Sequence, residues 1–459
     1  MTSTVVKPSR LNSPTLHQLP NGLTIVAEQM PVEAVNLSLW VDVGSANEPD
    51  EINGMAHFLE HMVFKGTQSI ESGEFERRIE ERGAVTNAAT SQDYTHYYIT
   101  TAPKDFSSLA PLQIDVVLNS LIPDDAFSRE KLVVLEEIRR SDDNPRRRTF
   151  AQAMQTAFNR LPYRRPVLGE FEIISQLQAQ QMRDFHSFWY QPKSITAVAV
   201  GNLPVDELIK IVADGFAETQ GEASASLGVS KRAESSGEED SSPKLFKRKE
   251  ATTPSSIVNH QPIANTFTEE PAFTEIVRHE LKDDSLQQAR LVMVWRVPGL
   301  SNLQETYALD VLAAILGSGR TSRLVRELRE EKGLVSSISV SNMTQRLQGT
   351  FYISATLPVE NIAQVETEVA HHIYTIQNEP VEEWEIARIR TQVANRFIFA
   401  NETPSDRAGL YGYYQSMVGN LEPAFDYPSR IQVLNAATMQ SAAQKYLSAN
   451  AYGAVILKP

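Results

Sequence analysis

Two histidines and a glutamate fall within one five-residue string, His57-Phe58-Leu59-Glu60-His61, inside GMAHFLEHMVFKGT. At about 3.6 residues per helical turn, His57, Glu60 and His61 share one face. Met55, Phe58, Leu59, Met62 and Val63 fall on the opposite face, where they can enter a core. The string therefore reads as an amphipathic helix with two imidazoles and a carboxylate along its polar stripe. Two histidines four residues apart can grip one zinc ion, and the carboxylate between them can take a proton from the activated water.

A catalytic zinc takes three protein ligands and keeps a fourth position open. The chain has no cysteine, so the third must be His, Asp or Glu. The stretch SREKLVVLEEIRRS reads as a helix with Ser128 at its N-cap. Glu130 and Glu137 are a heptad apart and share a face, with Val133 and Val134 between them on the same side. Glu137 would complete a His2Glu set, and Glu130 would support an imidazole or the catalytic water. Glu136 points about 100° away and reads as a solvated side chain. Two imidazoles and a carboxylate suit zinc better than magnesium or calcium.

These side chains need a scaffold. A chain of 459 residues suggests two domains of about 200 residues, or three smaller ones. Hydrophobic content of 41% with 22% charged residues is that of a soluble globular protein. The net charge of −14 argues against nucleic acid and is compatible with basic peptides. Neither a signal-peptide core nor a long apolar run is visible, so a cytoplasmic protein without membrane insertion is expected.

In chain order, residues 15–45 read as a strand, a turn at Pro20-Asn21-Gly22, the strand LTIVAEQ and the alternating strand VNLSLWVDVGS. The segment AVTNAATSQDYTHYYITTAP reads as a β-hairpin with a polar, small-residue first strand. Its Asn87-Ala88-Ala89-Thr90 edge could bind an extended peptide by strand addition, or be polar only to prevent aggregation. Helical periods follow over 106–140, 149–161 and 173–189, before the apolar strand ITAVAVGN. From 219 to 270, Ser, Glu, Lys, Pro and Ala dominate without an apolar period, which predicts a partly disordered linker.

Beyond that linker the pattern recurs. QQARLVMVWRVPG parallels VNLSLWVDVGS, SSISVSNMTQRLQGTFYISATLPVE parallels the hairpin, and the endings MQSAAQKYLSANAYGAVILKP and MRDFHSFWYQPKSITAVAVGNLP match. The expected fold class is α+β, with two homologous α/β sandwich domains at 15–218 and 271–459 behind an N-terminal tail of 1–14. Each is expected to be an antiparallel-rich mixed sheet with helices on one face. Only the first carries the H-x-x-E-H string. The lone histidines His17, His96, His186, His260 and His279 get no role, and the adjacent pair His371-His372 would splay apart on a helix. Gly317-Ser318-Gly319 lacks the ending of a phosphate loop and reads as a flexible loop.

GMAHFLEHMVFKGT, with Glu137 in EKLVVLEEI, resembles the pitrilysin-type (inverzincin) zinc metallopeptidases. Within them the chain is most similar to two-domain bacterial members and to those like the mitochondrial processing peptidase beta subunit. The resemblance covers nearly all of the chain outside 219–270. It includes GAVTNAATSQDYTHYY, which is similar to the family's substrate-binding edge strand, and YQPKSITAVAVGN. It implies that His57, His61 and Glu137 hold one zinc per chain, that Glu60 is the general base and that Glu130 supports the site. It also implies an endopeptidase for unfolded peptides or targeting presequences, acting in a chamber closed by two chains.

One position departs from the pattern. Self-sufficient relatives carry an Arg and a Tyr seven residues apart in the C-terminal half. Here Arg329 matches the Arg, but Ser336 stands in the Tyr position. Either Arg329 holds substrate without that partner, or a homologous subunit supplies the pair, so a homodimer or a heterodimer is expected. Arg329 paired to Glu330 or Glu331 as an ordinary helix charge is the competing reading. A non-catalytic scaffold or peptide-binding subunit is the alternative function. Such relatives normally lose ligands, whereas all five motif positions stand here. Hydrolysis of some other bond is opposed by the peptide-edge motif.

Overall fold

The computed structural model describes residues 13–226 and 267–459. Most of the expected N-terminal tail and linker, and His260, lie outside the described residues. The first sheet comprises β1 (Thr15–Gln18), β2 (Thr24–Gln29), β3 (Val35–Val41), β4 (Val85–Thr90), β5 (Thr95–Thr101) and β6 (Ile195–Gly201), in the order β1-β2-β6-β3-β5-β4. The second comprises β7 (Val277–Lys282), β8 (Ala289–Pro298), β9 (Ser337–Met343), β10 (Gln348–Leu357) and β11 (Gly453–Lys458), in the order β7-β11-β8-β10-β9. Strand β2 runs parallel to β6 and β7 parallel to β11, while the other neighbours are antiparallel. Apart from the extra edge strand β1, replacing β2, β6, β3, β5, β4 by β7, β11, β8, β10, β9 turns one order into the other. The recurrence read along the chain is thus a recurrence of topology, and the architecture is α+β with two mixed sheets.

Five helices of the first half matter for the site: α1 (Met55–Met62), α2 (Glu74–Glu81), α3 (Pro103–Leu118), α4 (Asp124–Asp142) and α5 (Pro145–Ala157). The apolar sides of α1 to α4 share one core with Leu37, Leu39 and Val41 of β3. Strand β3 does not show the expected alternation, because all seven of its residues are buried. Its other face is covered by the helix Pro404–Val418, which comes from the second half of the chain. There Ala408 and Tyr411 pack with Trp40, Val26 and Val198. A Cβ at Gly412 would overlap the Trp40 indole, so this helix can lie so close only with glycine there. In return α5 crosses to the second sheet, where Ala153 packs with Val292 and Val455. Helices are therefore not confined to one face of each sheet. Each half lends one helix to the outer face of the other, which buries apolar strand residues that water would otherwise reach.

The ends of the expected linker also differ. The helix Val205–Ser226 continues past residue 219. At the other end Glu270 is buried and accepts hydrogen bonds from the backbone N–H groups of Asn159, Arg160 and Leu161. Arg296 lies 3.3 Å from its carboxylate. Among the described residues, no helix is long and apolar enough to cross a membrane.

Candidate metal centre

Helix α1 starts at Gly54, whose φ of +94° is left-handed and suits glycine. A helix start leaves backbone N–H groups without partners. The Glu48 carboxylate fills that need, taking hydrogen bonds from Gly54 N at 2.7 Å and Ala56 N at 2.6 Å, with Asn53 Nδ2 at 3.0 Å. Complete burial pushes the Glu48 carboxyl up to about 7, against the opposing pull of these donors and Arg165. Met55, Ala56, Phe58, Leu59 and Met62 are buried, and Phe58 stacks on Phe127 of α4 with ring centroids 4.6 Å apart. That packing presses α1 against α4 and turns the polar stripe of α1 toward Glu130 and Glu137.

The two glutamates of α4 do share a face, as their spacing requires. Glu130 Oε1 lies 3.0 Å from His61 Nδ1, and Glu137 Oε2 lies 3.6 Å from His61 Nε2 and 3.7 Å from His57 Nε2. Glu136 turns outward to Arg140 at 3.2 Å. Two details of the α4 reading change. Ser128 is not the N-cap: the helix begins a turn earlier, after Pro123, and the Ser128 hydroxyl donates to Asp124 O. Val133 is 46% exposed while Val134 is buried, because adjacent helical positions diverge by about 100° and only Val134 meets the core.

His57, His61 and Glu137 are the one metal-compatible group among the described residues, with one ligand atom from each within 4.8 Å of the others. Ligand atoms about 2.0–2.1 Å from a tetrahedral zinc would sit about 3.4 Å apart, close to the two separations from Glu137 Oε2. Burial and the neighbouring His61 push His57 down to about 3, so its imidazole is neutral and carries a free lone pair. Its Nδ1 is buried and without a hydrogen-bond partner among the described residues. The donor set fits a zinc ion.

Glu60 accepts a hydrogen bond from Thr90 Oγ1 at 2.5 Å. Burial raises its pKa, with Thr90 and His61 pulling the other way. Thr90 ends β4, which among the described residues pairs only with β5 and leaves its outer edge open. Asn87 and Ala89 point to solvent; Ala88 and Thr90 are half-buried. The expected edge strand and the expected base therefore meet at Thr90.

Lys65, which the spacing argument overlooked, holds Glu130 Oε2 at 2.8 Å. Burial raises the pKa of Glu130, but Lys65 and His61 outweigh it and the net direction is down. Lys65 is one turn beyond His61, and that i+4 spacing was the available signal. Glu48 left no comparable trace, because it acts through backbone groups rather than through a side-chain pattern.

Arg329 is not brought to this site within the chain. It sits in a π-helical turn, Val325–Glu331, and donates to Glu330 Oε1 from Nε at 2.9 Å. That is the ordinary helix-charge pairing. The Ser336 hydroxyl bonds Gln288 and Thr356 O. Among the other histidines, His186 Nε2 bonds Val117 O, His96 stacks on Trp40 and His372 meets Glu327 at 2.8 Å.

Residues 24–170 match the family described as insulinase (peptidase family M16), and residues 176–393 match the peptidase M16 inactive domain. The chain belongs to peptidase family M16. The segment matched to the inactive domain contains no H-x-x-E-H string. An uncharacterized zinc protease of Mycobacterium leprae is 30% identical over 321 residues, which are 70% of this chain and 64% of that protein. Zinc protease PqqE of Helicobacter pylori is 25% identical over 447 residues, 96% of this chain and 92% of that one. The crystal structure of a protease from Helicobacter pylori superimposes with a TM-score of 0.83 at 25% identity, covering 98% of this chain and all of the other.

Proposed function

We propose that this M16 chain is a zinc-dependent endopeptidase that cleaves unfolded peptides or targeting presequences in the cytoplasm. The convergence of His57 Nε2, His61 Nε2 and Glu137 Oε2 beside the proton-accepting Glu60 carries that reading. Zinc held by these three residues supplies Lewis acidity, which brings water near ionisation at neutral pH and polarises a carbonyl.

The chain's own residues do the rest. Thr90 holds the Glu60 carboxylate through its hydroxyl and its backbone, orienting the group that takes a proton from water and returns it to the leaving amine. The raised pKa of Glu60 brings it closer to working pH, which suits a group that must both accept and donate. Glu130 accepts from His61 Nδ1 and so presents Nε2 as the free lone pair, while Lys65 keeps Glu130 ionised and in place. The open edge of β4 offers backbone donors and acceptors to an extended peptide, which would lie directly beside Glu60.

A second chain, identical or homologous, completes the working particle in this reading, because Arg329 is engaged with Glu330 and Ser336 is too short to replace a tyrosine. The test is hydrolysis of a quenched-peptide mixture by the purified zinc-loaded chain, with Glu60→Gln as control. We expect Glu60→Gln to retain stoichiometric zinc and to lose at least 100-fold in turnover, the scale of an acid–base catalyst. Near-normal turnover in Glu60→Gln would sink the mechanism.

A further inference from the structure

A cavity of about 730 Å³ opens between the start of α5 and the face of β8, β9 and β10. Arg146 and Arg147 border it from α5, and Arg290 from β8. Among the described residues no Asp or Glu lines it, although acidic residues outnumber basic ones 57 to 43 in the chain. None of the three guanidiniums makes an ion pair within the described residues. Arg148, the next residue, is by contrast paired with Asp283. Arg290 is half-buried, and burial together with the Arg146 charge lowers its pKa. Like charges facing one cavity repel, and an anion between them relieves that repulsion. Hydroxyls of Ser337, Ser339 and Ser354 add neutral donors to the same lining.

The location favours a peptide as the carrier of that anion. Strand β9 is the second sheet's counterpart of β4 and, like it, pairs on one side only among the described residues. Chain geometry limits the Glu137-to-Arg146 separation to about 23 Å, a span that an extended peptide of about seven residues covers.

We propose that this cavity is a binding site for an acidic group, a side-chain or C-terminal carboxylate, of a peptide whose backbone reaches the centre at Glu137. The inference deepens the peptidase reading and rests on it for the identity of the ligand. It makes the chain selective for peptides with an acidic residue within about seven positions of the cleaved bond, despite its own acidic charge.

Binding to the full-length Glu60→Gln chain tests this without turnover. The probes are a fluorescent decapeptide with a Glu-Asp-Glu segment, its Gln-Asn-Gln counterpart, and inorganic tripolyphosphate as competitor, read by anisotropy at low salt. The acidic peptide should bind at least about tenfold more tightly than its amide twin, with the advantage shrinking as salt rises. Arg290→Gln should erase the preference and Arg290→Lys should keep most of it. Arg146→Gln/Arg147→Gln, at two exposed positions, should weaken it. Equal binding of the two peptides, or a preference that survives in the double variant and in a folded Arg290→Gln chain, would overturn the proposal. Tripolyphosphate binding at the arginines without any acidic-peptide preference would also overturn it, by assigning the cavity to free phosphate. An Arg290-dependent preference in a chain whose wild type hydrolyses no peptide would uphold the cavity and refute only the peptidase reading.

Discussion

Glu130 touches no expected substrate atom, yet it should control metal affinity. Its Oε1 accepts from His61 Nδ1 at 3.0 Å and its Oε2 meets Lys65 at 2.8 Å, on a side chain 15% exposed. Glu130→Ala removes both contacts, leaves the His61 ring free to turn, and strands the Lys65 ammonium beside it. Outer partners of metal-bound histidines are worth about 10- to 100-fold in affinity, or about 1.4–2.8 kcal/mol. Because this partner is charged, mostly buried and held from behind by Lys65, the loss should fall in the upper part of that range, about 50-fold. Glu130→Gln keeps an acceptor for His61 Nδ1 but no charge for Lys65, and should lose only several-fold. Lys65→Met should resemble Glu130→Gln. The measurement is competition for zinc against a chromophoric chelator at fixed pH, with the unfolding midpoint of each apo protein as a fold control. If Glu130→Ala bound zinc as tightly as the wild type while remaining folded, the positioning argument would fail, and with it the ligand role of His61 Nε2.

Other outcomes follow from particular contacts. Thr90→Val removes the hydrogen bond that lowers the Glu60 pKa, so that pKa should rise; the acidic limb of the kcat–pH profile should move to higher pH, and an unmoved limb would mean that Glu60 does not set it. Gly412→Ala should cost about 1–3 kcal/mol through overlap with Trp40, whereas Gly409→Ala, on the same helix with open space around it, should gain about 0.5–1 kcal/mol; urea melts compare the two. Burial raises Asp310 from 3.8 to about 6, so between these values the folded state binds the proton more strongly than the unfolded one. Wild-type stability should therefore fall as pH rises from about 4 to about 6, relative to Asp310→Asn, and parallel pH profiles of the urea midpoint would contradict this.

Much of the centre was legible because it obeys local periodicity. The i, i+4 histidines, the heptad between Glu130 and Glu137, and the strand ending at Thr90 are each consequences of one element's repeat. Lys65 obeyed the same rule and was missed only for want of looking one turn further. Where the reading failed, the deciding contact was remote. Val133 and Val134 were assigned to one side, but adjacent helical positions diverge by about 100°, and packing decides that Val134 is the one that meets the core. The full burial of β3 was hidden because its second cover is a helix nearly 370 positions along the chain, Pro404–Val418. Arg329 aligned with a family position, and its guanidinium pairs with the adjacent Glu330, the alternative that the helix spacing also offered.

The order of chemical groups along the chain was enough to determine that two imidazoles and two carboxylates would share a helix-borne site, that no thiolate could take part, and that one topology would be used twice. These follow from bond geometry and residue type, which are local. Tertiary structure decided which carboxylate meets which nitrogen, that Thr90 bonds one oxygen of Glu60, that the halves exchange helices, and that three arginines gather around one cavity with no acid among the described residues that line it. Those facts depend on which surfaces exclude water together, and that is settled only when the whole chain packs.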